Sequence, residues 1–272
     1  MPAEHPTNRV LAALSRADLL QWQSHLERVD LDAHCTLQTP GAPIEFVHFP
    51  LGALVGLVRV EERGAVQAQV ALVGNDGVVG LAPLLGVGAE RVRAVVLHPG
   101  SAWRLPTAAL QSHPIEGSTV LHVVFRYLQA LNAQIAQNAV CRLHHTVAQR
   151  LCRWLLDAFD RVPGEALHID LVALGEWLQA DPQALRQAAD QLVDAGVVEC
   201  QPGRTLLRDR AALARLAVEK PDLTVLIIYF VVFSIGEALW SARFLEYASE
   251  LAPPGRVAQS VSPTALSVRV TS

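Results

Sequence analysis

The chain has 272 residues, 51% of them hydrophobic and 18% charged, and its formal net charge is −4. This length suggests two domains with cores of their own, and the composition excludes a mostly disordered protein. A strongly basic net charge would indicate nucleic-acid binding, but the net charge of this chain is weakly acidic. Binding to DNA must therefore be argued from local residues.

The cysteines and the first residues indicate the compartment. Cys35, Cys141, Cys152 and Cys200 lie far apart and form no Cys-x-x-Cys pair. This spacing is poor material for a zinc site, an iron–sulfur site or a disulfide framework, so we expect buried free thiols and no cofactor. The opening residues, MPAEHPTNRV, contain no apolar segment of signal-peptide length. The sequence thus predicts a cytoplasmic protein.

A helical lead-in and a β-rich region form the first part of the chain. Helical spacing of apolar residues runs from Asn8 to Glu27, and Ser15 can cap a second short helix within it. From Val29 to about Leu110, short β-rich runs alternate with turns that contain Gly, Pro, Asn or Asp. The runs are FVHF, ALVGLVRV, AQVALV, VRAVVL and AWRL. Such regular punctuation predicts a β sandwich or jelly roll.

A long helical region follows. From Glu116 to Asp160 there are few helix breakers, and apolar residues recur at helical spacing. The apolar stripe comprises Val120, Val123, Val124, Tyr127, Leu128, Leu131, Ile135 and Ala139. Such a stripe either packs on its own domain or pairs with the same helix in a dimer. A second helix is predicted from about His145 to Phe159. Its inward residues are Leu151, Trp154, Leu155 and Ala158.

Two short helices and a hairpin are predicted next. The helices span Leu171 to Leu178 and Pro182 to Ala195, and Asp181 before Pro182 is a typical N-cap and first-turn pair. Their shared core comprises Leu174, Leu178, Leu185, Ala188, Ala189 and Leu192. After Gly196, the runs VVEC and TLLRD flank a Pro-Gly turn. This order predicts a winged helix-turn-helix, whereas a helical hairpin used only for packing would not need the wing.

Several segments, in the same order, resemble the Crp–Fnr family of transcription regulators. NRVLAALSRADLLQWQSHLERVDL and LQTPGAPIEFVHFPLGALVGLV are similar to the start of its effector domain. NDGVVGLAPLLGVGAERVRAVVLHPGSAWRLPTAAL is similar to the segment around its phosphate-binding cassette. TVAQRLCRWLLDAFDR and GEWLQADPQALRQAADQLVDAGVVECQPGRTLLRDR resemble its DNA-binding domain. The resemblance extends from about Asn8 to Leu216.

The resemblance implies an α+β fold and a dimeric, DNA-binding transcription regulator. It implies a jelly-roll sensor domain of the cyclic-nucleotide-binding type over residues 8–115 and a dimerisation helix over residues 116–142. A winged helix-turn-helix domain would then cover residues 143–217. The implied partners are DNA, a second copy of the chain and a small effector that the sequence does not identify.

The effector region departs from the cyclic-nucleotide binders of this family. Those proteins place a glutamate in the cassette for the ribose hydroxyl and an arginine for the cyclic phosphate, whereas here Val78, Val79 and Gly80 stand where the glutamate is expected. Arg91 and Arg93 remain candidate effector-binding residues, although both could be solvated strand residues. Loss of the carboxylate would cost about 1–3 kcal/mol if the hydroxyl were buried unpaired. We therefore do not expect cyclic AMP.

The start of the second short helix carries the candidate base-reading residues. By the family's register, Gln183, Arg186 and Gln187 face the major groove, next to Pro182. Glutamine can read adenine and arginine can read guanine through paired hydrogen bonds. The candidate phosphate-binding residues of the wing are Arg204 and Arg208.

Acidic residues oppose tight DNA binding. Asp181 would approach phosphates with the wrong charge, and residues 142–217 contain nine Arg and no Lys against ten Asp plus Glu. An alternative function is therefore a sensor or scaffold protein that retains the fold and has lost DNA reading.

The tail does not belong to this resemblance. In residues 221–272, the stretch LTVLIIYFVVFSIGEALWSARFLEYASELAPPGRVAQ resembles one helix and loop of a major-facilitator transporter of the peptide-carrier type. A membrane anchor through residues 223–240, a hydrophobic helix packed on the regulator and a fused gene fragment all stay open, and we favour the fragment.

No sequence motif indicates an enzyme. The sequence contains no nucleophile elbow, HExxH motif, P-loop or Rossmann glycine fingerprint. Haem ligation by His48, His98 or His122 stays open, although a single histidine more often has a structural role.

Overall fold

The computed structural model describes residues 8–60, 66–85, 90–111, 119–164, 166–201 and 204–217. The chain divides into two units, Met1–Glu219 and Lys220–Ser272, and all the described residues belong to the first. The apolar segment at 223–240 and the rest of the tail lie outside the described residues. The resemblance of the tail to a transporter therefore gains no support from the structure. Within the described ranges, no helix combines the length and the hydropathy needed to cross a membrane.

Two short helices open the described chain, α1 (Arg9–Ala12) and α2 (Arg16–Gln23). The side chain of Ser15 accepts a hydrogen bond from the N–H of Asp18 and caps α2, so the predicted cap is confirmed. The predicted helical region is too long at its end. Strand β1 (Glu27–Leu31) begins there, because Glu27 pairs with Arg104 along both the backbone and the side chains.

Among the described residues before α4, seven strands form two antiparallel sheets, with the order β1–β7–β3 in one sheet and β2–β6–β4–β5 in the other. After β1, the strands are β2 (Thr36–Gln38), β3 (Phe46–Pro50), β4 (Leu54–Val60), β5 (Val66–Val73), β6 (Arg93–His98) and β7 (Gly100–Pro106). Each of the five predicted β-rich runs overlaps a strand, and only their residues Ala53 and Val92 lie outside, each one residue before the strand begins. Strands β1 and β2 were not among the predicted runs, because their residues are largely polar and give no apolar run.

The two sheets enclose apolar residues. The cluster that both sheets share includes Leu31 and Ala102 of the first sheet and Val55, Val73 and Val96 of the second. A bridge between His48 and Val79 joins the region after β5 to β3, through two backbone hydrogen bonds of 2.9 Å. A 3-10 turn (Ala82–Leu85) and helix α3 (Thr107–Gln111) complete this part of the chain.

A long helix, α4 (Thr119–His144), follows the sheets. Its first turns bury Val120, Val123 and Val124 in the same cluster as Trp22 and Phe49. Leu131 and Ile135 pack, partly buried, against a second cluster of strand residues. One face of the predicted stripe therefore packs on the sheets. The opposite face leaves three large apolar side chains exposed: Phe125 (59%), Val140 (50%) and Leu143 (79%).

Helix α5 (Val147–Phe159) begins with a capping box in which Thr146 and Gln149 satisfy each other's backbone N–H groups. Its buried residues include the predicted Leu151, Trp154, Leu155 and Ala158. The cysteine prediction holds in part. Cys141 and Cys152 are buried and Cys35 is half-buried, but Cys200 is exposed, and all four are free thiols.

The last described part combines three helices with a small sheet of order β8–β10–β9. Its elements are β8 (Ala166–Leu167), α6 (Leu171–Leu178), α7 (Pro182–Asp194), β9 (Val198–Gln201), β10 (Arg204–Leu207) and α8 (Arg210–Ala217). Both predicted helices are confirmed, the second ending one residue early. Four of the six predicted core residues are buried: Leu174, Leu185, Ala188 and Leu192. Leu178 and Ala189 are partly buried against them.

Candidate nucleic-acid interface and effector region

The residues between α6 and α7 determine where α7 begins. Gln179 ends α6 in the left-handed conformation, with φ of 50°. Asp181 then caps α7, because its Oδ2 accepts a hydrogen bond of 2.8 Å from the N–H of Ala184. Pro182 occupies the first helical turn, where its missing N–H costs nothing. Asp181 thus has a structural role as well as an unfavourable charge for approaching phosphate.

The first turns of α7 divide cleanly into two faces. Leu185 and Ala188 are 1% and 4% exposed and pack into the core shared with α6 and α8. Gln183, Arg186 and Gln187 are all exposed. The structure therefore brings the three predicted base-reading residues together on one accessible helical face.

The two predicted wing residues differ in their surroundings. Arg204 is exposed and lines a cavity of about 200 Å³ together with Ala189 and Leu192 of α7, so β10 lies beside α7. Arg208 is also exposed, but its Nε lies 2.8 Å from Oε2 of Glu199. The pKa of Glu199 is lowered by a hydrogen bond from Gln201 and by Arg208. Arg208 therefore already has an anionic partner within the chain.

Ion pairs reduce the positive charge that residues 142–217 can offer to DNA. Among the described residues of this range, four arginines each lie 3.7 Å or less from a carboxylate oxygen: Arg153, Arg161, Arg208 and Arg210. Three exposed arginines have no ion pair within the described residues: Arg186, Arg204 and Arg215. Two of these three belong to the predicted DNA-binding set.

The predicted effector residues lie at the start of β6. Arg91 is exposed just before the strand, and Arg93 is half-buried opposite Val58 of β4. Neither side chain has a hydrogen bond or ion pair with any residue that the structure describes. Both are accessible to an anion, but no contact in the structure holds either one in a binding geometry.

Apolar side chains occupy the region where a ribose-binding carboxylate was expected. Val78 and Val79 are each 2% exposed, and Leu81 is 6% exposed. Glu90 is a nearby carboxylate that was not predicted from the sequence. Its Oε1 accepts from the N–H of Ala82 at 3.1 Å, and its Oε2 accepts from Nε2 of Gln38 at 3.0 Å. Glu90 is therefore engaged by donors of the chain itself.

The three histidines considered for haem lie in different settings. His48 is buried, and this burial, with Arg104 nearby, lowers its pKa to about 4. His122 is exposed on α4. His98 accepts a hydrogen bond from a backbone N–H, as described below. Among the residues that the structure describes, no group of three or more His, Cys, Asp or Glu is placed to hold a metal ion.

A set of contacts between the sheets and the last helices was not predicted from the sequence. Nε1 of Trp154 donates to Oε1 of Gln69 at 3.0 Å, and both residues are buried. Nη2 of Arg142 donates to the carbonyl of Gln69 at 3.3 Å and to the carbonyl of Trp177 at 3.2 Å. These bonds join β5 to α4, α5 and α6. The partners lie 35 to 85 residues apart in sequence, so no local pattern could reveal them.

A second contact of this kind involves His98 of β6. Its Nδ1 accepts a hydrogen bond of 2.8 Å from the backbone N–H of His168, which follows β8. Burial, together with the nearby charges of His168 and Arg204, lowers the pKa of His98. The neutral ring is the form that can accept this bond.

No profile of a known protein family and no curated protein matches the sequence. Solved structures match the fold. FixK2 from Bradyrhizobium japonicum is 15% identical with a TM-score of 0.59, over 71% of this chain and 98% of that one. The c-di-GMP-responsive global regulator CLP from Xanthomonas campestris is 13% identical with a TM-score of 0.55, over 72% and 100%. A CRP/FNR-family transcriptional regulator from Thermus thermophilus is 20% identical with a TM-score of 0.55, over 70% and 98%.

At these identities the likeness is one of fold. CLP is named as a global regulator and the Thermus thermophilus protein as a transcriptional regulator of the CRP/FNR family, and the match covers nearly the whole of each neighbour. The chain therefore has the mixed helix-and-sheet fold of the Crp–Fnr transcription regulators.

Proposed function

We propose that this chain is a dimeric, DNA-binding transcription regulator of the Crp–Fnr type. In this proposal, residues 8–115 are a jelly-roll sensor and the helix over residues 116–142 joins two protomers. Residues 143–217 are a winged helix-turn-helix, with β9 and β10 as the wing. An effector changes the orientation of α7 through contacts between the sensor and the winged helix-turn-helix.

The observation that carries the proposal is the exposed face of α7. Gln183, Arg186 and Gln187 share this face, and their donors and acceptors are not used by the helix core. Their long side chains match the pairings that read adenine and guanine in the major groove. A helix that served packing alone would not need two amides and a guanidinium on one accessible face at its start.

Phosphate contacts are assigned to the arginines around α7. Arg204 is exposed and has no ion pair within the described residues, so it can contact a phosphate without losing a carboxylate partner. Arg208 stays in the proposed set but must first leave Glu199. Each phosphate that is neutralised steepens the salt dependence by roughly 0.9 log units per decade of salt. Two protomers with one such arginine each would give a slope of roughly −2.

The exposed face of α4 supports the dimer. Phe125 and Leu143 lie 18 positions apart, a separation of five helical turns, so they share one side of the helix. Both side chains are more than half exposed, and apolar residues of a dimer interface are exposed in this way when one protomer is considered without its partner. Pairing with a second copy would remove these side chains from water.

The effector is proposed to differ from cyclic AMP. Buried Val78, Val79 and Leu81 offer no acceptor for a ribose hydroxyl, and the Glu90 carboxylate is engaged by Gln38 and Ala82. Arg91 and Arg93 stay candidates for contact with an anionic effector, because neither is paired among the described residues.

The proposal is tested by selecting duplexes from random-sequence DNA with the purified full chain, at about 50 and about 200 mM salt. We expect a palindrome whose half-sites are about one helical turn apart. The same selection with Gln183→Ala and Gln187→Ala should lose preference at one position per half-site. Gln21→Ala changes an exposed glutamine of α2 and should leave the motif intact.

A specific observation favours the alternative, a sensor or scaffold that no longer reads DNA. Asp181, Asp190 and Asp194 are exposed at or on α7, so acidic residues outnumber Arg186 on this helix. A folded, dimeric protein that enriches no motif at either salt concentration would favour this alternative.

A further inference from the structure

A small cavity lies where α4 ends, between β5, α5 and α6. Its volume is about 40 Å³, and its lining includes three arginines and two tryptophans: Arg142, Arg150, Arg153, Trp154 and Trp177. The cavity lies apart from the exposed face of α7 and from Arg91 and Arg93, none of which lines it. It therefore belongs to neither of the sites considered so far.

The positive charge at this cavity is not balanced by carboxylates. Arg142 donates to the carbonyls of Gln69 and Trp177, and Nη1 of Arg150 donates to the carbonyl of Leu178 at 2.8 Å. Neither arginine has an ion pair within the described residues. Each therefore has neutral oxygen partners and keeps its full charge.

The carboxylate beside the cavity is already engaged. Asp157 also lines the cavity, and its oxygens lie 3.5 Å from Nε of Arg153 and 3.7 Å from Nη1 of Arg161. Two arginines share this one carboxylate, so it leaves no charge for Arg142 or Arg150. The pKa of Arg142 is lowered, first by burial and second by the charge of Arg150, which is consistent with two close and unbalanced guanidinium groups.

A hydrogen-bond donor at the cavity is also unused. Nε of Arg150 is buried and has no hydrogen-bond partner among the described residues. A buried donor without an acceptor is unfavourable, and an unpaired buried charge is more so. A negatively charged acceptor would pair with this Nε and would also balance the positive charge.

We propose that this cavity binds a small oxyanion of the phosphate class, held by Arg142 and Arg150 with Arg153 at its edge. Guanidinium groups present forked donors that match the oxygens of a tetrahedral anion. A volume of about 40 Å³ is several times the roughly 10–15 Å³ that one water needs. It is far below the roughly 300 Å³ of a pocket for an organic ligand, so a nucleotide does not fit.

The position of the site gives the anion a structural consequence. Arg142 bridges the carbonyl of Gln69 in β5 and the carbonyl of Trp177 in α6. Arg150 holds the next carbonyl of α6, that of Leu178. An anion shared by both arginines would fix the end of α6 against the sheets. This inference concerns the junction alone and holds whether or not the chain reads DNA.

The test is a titration of the full chain with inorganic phosphate, at constant ionic strength maintained with chloride and without DNA. Trp154 and Trp177 line the cavity, so a change in tryptophan emission indicates binding near them. A rise in the unfolding temperature indicates binding to the folded state. We expect both signals to change and to saturate. Arg150→Gln should weaken the apparent affinity about tenfold or more. Arg215→Gln, which removes an exposed arginine of α8, should not.

Three results would overturn the proposal. One is a phosphate response that does not saturate. Another is the same response in the wild type, Arg150→Gln and Arg215→Gln. The third is tighter binding of adenosine monophosphate than of inorganic phosphate, which would contradict the small site. If circular dichroism shows that Arg150→Gln does not fold, Arg153→Gln replaces it, because the Arg153 side chain is 42% exposed and its loss disturbs the core less.

Discussion

Glu199 and Arg208 form an exposed ion pair beside the proposed DNA-binding helix. Nε of Arg208 lies 2.8 Å from Oε2 of Glu199, and the two side chains are 44% (Glu199) and 50% (Arg208) exposed. Because Glu199 already pairs with the guanidinium of Arg208, the proposed contact of Arg208 with DNA phosphate depends on whether this ion pair breaks.

Replacing Glu199 tests this dependence. Glu199→Gln should release Arg208 toward phosphate, strengthen DNA binding and steepen the salt dependence by roughly 0.9 log units per protomer. Arg208→Gln should change the slope little, because the wild-type arginine is already paired. The measurement is the DNA affinity at several salt concentrations. Equal slopes for the wild type and Glu199→Gln would show that Arg208 does not approach the backbone.

His98 links stability to pH at the junction between the sheets and the small sheet. Burial first, then the charges of His168 and Arg204, lower its pKa, so the folded chain favours the neutral ring that accepts from the N–H of His168. A histidine whose pKa is lower in the folded than in the unfolded state contributes stability that is present above about pH 6.5 and lost as the pH falls below it.

The variant His98→Asn keeps an acceptor but does not titrate. Between about pH 7.5 and about pH 5, the free energy of unfolding should fall less steeply in His98→Asn than in the wild type. His48 contributes in the same direction to both proteins and does not affect the difference. His122→Asn, at an exposed position of α4, should follow the wild type. The measurement is urea denaturation at several pH values. The same dependence of the free energy of unfolding on pH in all three proteins would contradict this role of His98.

At the scale of elements, the end of β5 and the end of α5 meet without space for a side chain at Gly74. A Cβ at Gly74 would lie 2.5 Å from Cβ and 2.6 Å from the carbonyl oxygen of Arg161. The same segment is tied by the N–H of Asn75, which donates to the carbonyl of Arg161 at 3.2 Å, and by an ion pair between Asp76 and Arg161. The close approach involves backbone, which cannot move without disturbing these bonds.

Gly74→Ala should therefore destabilise the chain by about 1–3 kcal/mol, the usual cost of overpacking. Gly52→Ala is the matched control, because a Cβ there meets no atom within 4 Å. The measurement is chemical denaturation of both variants. If the two variants lose the same free energy, the contact between β5 and α5 is looser than described.

Local signals predicted the elements well. Asp181 and Pro182 set the start of α7, and the Ser15 cap set the start of α2, because a cap and its helix lie within a few residues. Helical periodicity predicted Leu185 in the core, and the register of the family resemblance predicted Arg186 on the exposed side.

Contacts between distant residues could not be predicted in this way. The bond between Gln69 and Trp154 spans 85 positions, and each residue viewed alone has several other plausible roles. The pairing of Arg208 with Glu199 depends on the register of β9 and β10, which a one-residue shift would change. The candidate DNA-reading residues were thus predictable from the sequence, but their electrostatic surroundings and the cavity at the junction were not.

For the whole molecule, we expect α4 to determine the oligomeric state. Phe125 is 59% exposed on the face of α4 that does not pack on the sheets. Phe125→Glu should yield a species with the 29.4 kDa mass of one chain, because a dimer would bury two unpaired carboxylates. The wild type should have twice this mass by sedimentation.

The matched control is Leu20→Glu, because Leu20 on α2 is 57% exposed and lies outside the proposed interface. It should remain dimeric. A wild-type chain that sediments as a monomer at micromolar concentration would contradict dimerisation through α4, and so would a dimeric Phe125→Glu.

The most direct test of the whole account is the affinity of the full chain for the selected palindrome against a scrambled duplex of the same length, measured side by side at one salt concentration. Specific readout by α7 should make the palindrome bind about a thousandfold or more tightly than the scrambled duplex. Equal affinity for both duplexes, from a protein that sediments as a dimer, would contradict it and would leave a sensor or scaffold with the regulator fold.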